Sequence, residues 1–143
     1  MKLRLVISVL AVLWIGMIIA IGMESIVKFS TPLLSKPVGF DVGRVVFSAF
    51  NKLQSALLIV LLILAAFARV TTWDKLLLAA LTIILSLQVF WLFPELSQRV
   101  ALILSGIIPP PTYKHLLYGI LELLKLTILT AIGLKILLCA STA

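Results

Sequence analysis

The sequence predicts an all-α protein, a polytopic membrane four-helix bundle, from three observations. Of its 143 residues 63% are hydrophobic and only 12% charged, and the mean hydropathy of +1.29 lies far outside the range of soluble domains. Four apolar runs approach or exceed the roughly 20 residues needed to cross about 30 Å of hydrocarbon. They cover about 5–22, 45–68, 75–93 and 113–138. The polar residues that interrupt these runs are few and regularly spaced, as expected of helices packed on one another. What remains is too short for a separate soluble domain, so 1–143 reads as a single integral membrane domain with its chemistry inside the bundle or at its rims.

The first span opens with Met1-Lys2-Leu3-Arg4, which is also how a secretory signal begins, but its apolar run is too long and no small-x-small site follows. It reads as an uncleaved helix. Glu24 to Phe29 then forms an amphipathic segment that Pro32 interrupts. The second span follows Pro37-Val38-Gly39-Phe40, with Asp41 placed as its N-cap. A tight turn from Arg69 to Lys75 leads to the third span, and Trp73 within it has the place of an interfacial anchor. That span meets Pro94, which should kink it or begin a new amphipathic helix from Glu95 to Leu104. The fourth span follows Pro109-Pro110-Pro111, with Thr112 in the capping position.

The net charge of +7 does not point to nucleic acid, because the basic residues are scattered and no cluster is interleaved with aromatic side chains. Membrane lipids are the expected partners of that charge. Lys2, Arg4, Arg69, Lys75 and Lys135 fall on one side of the membrane, and Lys28, Lys36, Arg44, Arg99 and Lys114 on the other. The amino-terminal pair, with Glu24 just beyond the first span, favours both termini inside. Cys139 has no partner within the chain and reads as an inert apolar residue. One histidine, one cysteine and three methionines do not make a metal or haem site, and no phosphate loop or nucleophile elbow occurs, so no cofactor is expected and an enzyme is disfavoured.

A shift of seventy-one residues lays Glu24 on Glu95, Lys28 on Arg99, Asp41 on Thr112, Arg44 on His115, Phe47 on Tyr118, Asn51 on Glu122 and Gln54 on Lys125. With two spans in each unit, 1–70 and 72–143 would form a parallel repeat about an axis along the membrane normal. The steps of three, four and three along 44–54 and 115–125 draw one stripe on each helix, and the two stripes should face each other. The candidate polar core is therefore Arg44, Asn51, Gln54, His115, Tyr118, Glu122 and Lys125, with Glu24, Lys28, Glu95 and Arg99 at the rim. An unpaired, ionised Glu122 at that depth would cost at least about 2.5–3.5 kcal/mol. Lys125 is its nearest cation, and Arg44 is the expected partner across the bundle. Lys52 lies off the stripe and should snorkel.

Two meanings of this core stay open: a satisfied clasp that fixes helix register, or a polar pathway or pocket for a small solute, proton or cation. A non-catalytic lipid-binding protein or accessory subunit of a larger membrane complex is the alternative. A homo-oligomer is equally open, with Gly16, Ala20, Thr127 and Ala131 as close-packing positions inside the bundle or between copies. The runs Lys28-Phe29, Pro37 to Asn51 and His115-x-x-Tyr118-x-x-x-Glu122-x-x-Lys125 resemble a family of uncharacterised bacterial membrane proteins. These are similar to the eukaryotic transmembrane family linked to platinum-drug resistance and, more distantly, to the copper-resistance D-type membrane proteins. The resemblance implies a compact four-helix membrane bundle in a bacterial inner membrane; it carries no metal ligands over, because the histidine pairs are missing.

Overall fold

In the computed structural model, the backbone is described for residues 2–68 and 70–141, with side chains for 3–68 and 70–135. Helix α1 spans Lys2–Val27 and ends in a 3-10 turn at Lys28–Ser30; α2 spans Lys36–Phe67, α3 Thr72–Leu87, α4 Phe93–Leu104 and α5 Lys114–Ser141. A π-helical turn at Gln88–Leu92 joins α3 to α4, so Thr72–Leu104 is one continuous rod. Four helices are thus long and apolar enough to cross a membrane: this is a multi-pass membrane protein with an all-α four-helix fold.

The helices form a ring. Helix α1 packs on α5 and α2, while the α3–α4 rod packs on α2 and α5, so α2 and α5 meet across the centre. Their buried positions recur in steps of three and four: 51, 54, 58, 61 and 65 on α2, 78, 81, 85, 88 and 92 on the rod, and 118, 122, 125, 129 and 132 on α5. Such alternation keeps one seam inward along a gently supercoiled bundle. The same seam is polar at one end and apolar at the other. Trp14, Leu61, Leu81 and Leu129 fill the apolar end, almost wholly removed from solvent. Ser8 Oγ donates to the Gly133 carbonyl at 3.0 Å, and a Cβ on Gly133 would lie 3.9 Å from Ala11, so small residues set the α1–α5 contact here.

Several expected boundaries move. Asp41 does not cap α2: the cap is Ser35, Pro37 occupies the first turn, and Asp41 lies inside the helix, where it accepts from Arg44. Proline's fixed φ and missing N–H suit a first turn, so the helix starts before the glycines rather than after them. Pro94 stands in the first turn of α4, the new helix expected from Glu95 to Leu104, and that helix continues the rod in line with α3. The Phe93 N–H reaches back five residues to the Gln88 carbonyl, and this wider turn makes room where a regular helix would press the proline ring against the Phe90 carbonyl. Thr112 Oγ1 accepts the Lys114 N–H at 3.3 Å at the start of α5. Gly16, Ala20, Thr127 and Ala131 all lie on outer faces, and a Cβ on Gly16 would meet nothing within 4 Å, so none of them packs helices within the bundle. Cys139 and Arg69 fall outside the described side chains.

The ends are tied down by ordinary capping chemistry. Thr71 and Asp74 form a capping box at α3, and Lys135 of α5 closes it, donating to Asp74 Oδ1 at 2.7 Å and to Thr71 Oγ1 at 2.6 Å. Trp73 beside them is exposed. At the other end α4 stops in a Schellman motif: Gly106, at φ 82°, donates to Ile103, and Ile107 donates to Leu102. Only glycine enters that region without strain.

Candidate functional site

The polar residues occupy two storeys. In the lower one, Lys125 Nζ donates to Glu122 Oε1 at 2.9 Å and to Gln54 Oε1 at 2.5 Å, while Trp14 Nε1 reaches the same Gln54 oxygen at 2.9 Å. Gln88 Nε2 lies 3.2 Å from both Glu122 Oε1 and the Tyr118 carbonyl, and Tyr118 Oη donates to Asn51 Oδ1 at 2.6 Å. All four spans therefore place a side chain in this clasp. Lys125, Gln54 and Gln88 are 0% exposed, which closes it to solvent. Gln54 Nε2, Asn51 Nδ2, Gln88 Oε1 and Glu122 Oε2 make no hydrogen bond with any described residue, leaving two donor and two acceptor groups unspent.

Above it Phe47 stacks edge-on against Tyr118, with ring centroids 5.4 Å apart, and this pair is the floor of a cavity of about 360 Å³. The cavity opens at the rim between the ends of α1, α2, α4 and α5. Lys28, Arg44, Arg99 and His115 supply its polar wall, together with Ser97 and Thr112. Phe29, Phe40, Phe93, Leu96 and Ile103 supply the apolar one. Two of the basic groups are shared with carboxylates: Lys28 Nζ lies 3.4 Å from Glu24, and Arg44 lies 2.6 Å from Asp41. Lys114 at the same rim pairs with Glu95, which also accepts from Trp91 at 2.9 Å. Arg99 and His115 make no ion pair or hydrogen bond with any described residue, and the Ser97 hydroxyl is buried without a partner.

Glycine makes the α1–α2 corner of this cavity. A Cβ on Gly39 would come within 2.4 Å of the Phe29 ring, and one on Gly43 within 2.6 Å of Lys28 Nζ. Both residues lie on one face of α2, four apart, where the chain end after α1 folds back on it. Lys28 and Phe29 can reach their places only because nothing projects from α2 there.

The structure brings Asn51, Gln54, Tyr118, Glu122 and Lys125 together and leaves Arg44 and His115 one storey above. Arg44 is not the partner of Glu122: Asp41, one turn away on its own helix, holds it at the rim. His115 is exposed at the mouth. Among the rim residues, Glu24 pairs with Lys28, whereas Glu95 pairs with Lys114 rather than Arg99. Sequence reasoning missed Gln88 and Trp14. Gln88 is the one amide in the third apolar run, a signal in itself, but a comparison by seventy-one residues sets it against Met17 and passes over it. Phe47 and Tyr118, and Gln54 and Lys125, are pairs that this shift relates and that touch each other in space. Among the described residues no three His, Cys, Asp or Glu side chains converge where a metal ion could be held.

No family model, curated protein or solved structure matches this chain. The residues themselves must carry the functional argument. A cavity with an uncommitted guanidinium, an imidazole and a buried hydroxyl on one wall and aromatic rings on the other can hold a group with an anionic end and an apolar body.

Proposed function

We propose that this membrane protein binds an anionic amphiphile, a lipid or fatty acid-like molecule, in the cavity at its rim. The observation that carries the reading is Arg99, a cation with no carboxylate of its own among the described residues, facing a half-aromatic cavity. The anionic end would lie against Arg99, His115 and the shared cations Lys28 and Arg44, and the apolar body against Phe29, Phe93 and Leu96. Lipid-binding is thus favoured over passage of a small solute, proton or cation. Below the Phe47–Tyr118 floor the clasp is sealed, and below the clasp about ten residues of α5, or about 15 Å, run before Lys135 through a layer in which Ser8, spent on the Gly133 carbonyl, is the one buried polar side chain among the described residues. Such a layer supports a blind site rather than a pathway.

Binding of an anionic over a zwitterionic lipid, measured by native mass spectrometry after mild extraction, tests this. Wild-type protein is expected to retain phosphatidylglycerol in preference to phosphatidylcholine, and Arg99→Gln to weaken that retention about fivefold, the worth of one basic group near the surface. Equal retention of both lipids by the wild type would overturn the reading.

The contacts between Phe47 and Tyr118 and between Gln54 and Lys125 also favour a two-fold relation between the halves. Residues on an axis between two parallel helices meet their own counterparts, and these do.

A further inference from the structure

A second cavity, also about 360 Å³, lies beside the first and shares Arg44, Phe93 and Ser97 with it. Its other walls are Val45, Ser48, Ala49 and Lys52. Val45, Ala49 and Lys52 are exposed, so this cavity opens sideways through the α2–α4 seam and not at the rim. Lys52 lies eight residues beyond Arg44, about 12 Å deeper along α2. It makes no hydrogen bond or ion pair with any described residue. A lysine on the outer face at that depth is costly unless its ammonium finds an anion or runs its stem back toward the surface, and the groove beside Ser48 and Ser97 allows both. Arg44, set between the two cavities, makes them neighbours on one ligand.

We propose that the lateral groove is a second anion subsite, and that the ligand is a membrane lipid carrying two anionic phosphates. One phosphate sits in the rim cavity with Arg99 and His115, and the other in the groove with Lys52, Ser48 and the Ser97 hydroxyl. Arg44, already half neutralised by Asp41, bridges them. The occupant is a lipid and not a soluble diphosphate, because the groove opens toward the hydrocarbon and its outer wall, Val45 and Ala49, is apolar. This inference rests on the anionic-amphiphile reading above and adds to it the number of charges and the side of entry.

Native mass spectrometry of the full chain, extracted into micelles doped with either cardiolipin, which has two phosphates, or phosphatidylglycerol, which has one, distinguishes the two proposals. Wild type is expected to retain cardiolipin at least about fivefold better, and Lys52→Gln to bring the two lipids to parity while phosphatidylglycerol binding stays as in wild type. Arg99→Gln is expected to weaken both. If wild type retains the two lipids equally, or Lys52→Gln keeps the preference, the second subsite is wrong and the rim site stands. If neither lipid is retained, both proposals fall. Displacement of cardiolipin by an equal concentration of inorganic pyrophosphate would overturn the assignment to a lipid.

Discussion

Gln54 is doubly committed: its single carbonyl oxygen accepts from both Trp14 and Lys125. Gln54→Leu keeps the volume and removes that acceptor, leaving a buried indole N–H unpaired and Lys125 with Glu122 alone. Each buried group so orphaned costs about 1–3 kcal/mol. Equilibrium unfolding in bicelles is the measurement, with Thr127→Ala on the outer face as a control expected within about 0.5 kcal/mol of wild type. Lys125 and Glu122 form a second test. Lys125→Met strands a buried carboxylate and is expected to destabilise by about 3–5 kcal/mol. Adding Glu122→Gln should recover much of that loss, since a neutral amide can still accept from Gln88; a double variant no better than the single would mean the pair is not coupled. At this scale the sequence is partly legible. A glutamate and a lysine three apart in an apolar helix announce a buried pair, because hydrocarbon leaves them no other resort. The role of Trp14 is not announced, since an indole is at home in any apolar span and only its neighbour shows that its N–H is used.

Among the helices, close approach is decided by glycine. Gly39→Ala would drive a methyl to 2.4 Å from the Phe29 ring, and Gly43→Ala would drive one to 2.6 Å from the Lys28 ammonium. The first must displace a ring packed edge-on against Phe40, at 5.6 Å between centroids, and is expected to open the α1–α2 corner. The second meets only the end of a flexible side chain, so it should cost less stability and instead shift Lys28 within the cavity. Trypsin susceptibility at Lys28 and thermal unfolding separate the two: Gly39→Ala should raise cleavage and lower the midpoint, whereas an unchanged midpoint for it would contradict the contact. At the far end of α4, Gly106→Ala forces a side chain into the left-handed region at a cost of roughly 1–2 kcal/mol, read in the same unfolding assay. The existence of these helices follows from the apolar runs, but their ends do not. Asp41 is a strong local signal that is overridden, because Ser35 with Pro37 makes an earlier start to α2; Pro94 opens a new helix, α4, as its place suggests, and what the sequence does not announce is the π-turn that keeps α4 in line with α3.

Across the whole bundle, one end of the seam is polar and the other dry. Proteoliposomes holding the protein are therefore expected to leak protons and monovalent cations no faster than protein-free vesicles. A flux that Glu122→Gln abolishes would show that the apolar half opens. The architecture itself follows from composition and periodicity, because four apolar stretches with sparse polar residues at steps of three and four have no other way to satisfy their backbone in a membrane. Which polar residues meet is another matter. The stripes on 44–54 and 115–125 indicate that two helices face each other, yet sequence spacing says nothing about the third and fourth helices that complete the clasp through Gln88 and Trp14. It also cannot divide cations between carboxylates: Arg44 takes Asp41 and not Glu122, and Glu95 takes Lys114 and not Arg99, because those choices depend on helix rotation and height. Arg99 is left uncommitted for the same reason. The sequence by itself determined the helices, their apolar faces and the presence of a buried polar layer. Only the tertiary structure decided that this layer is sealed and that an unpaired cation stands over it in an open cavity, since pairing at short range is settled by packing geometry.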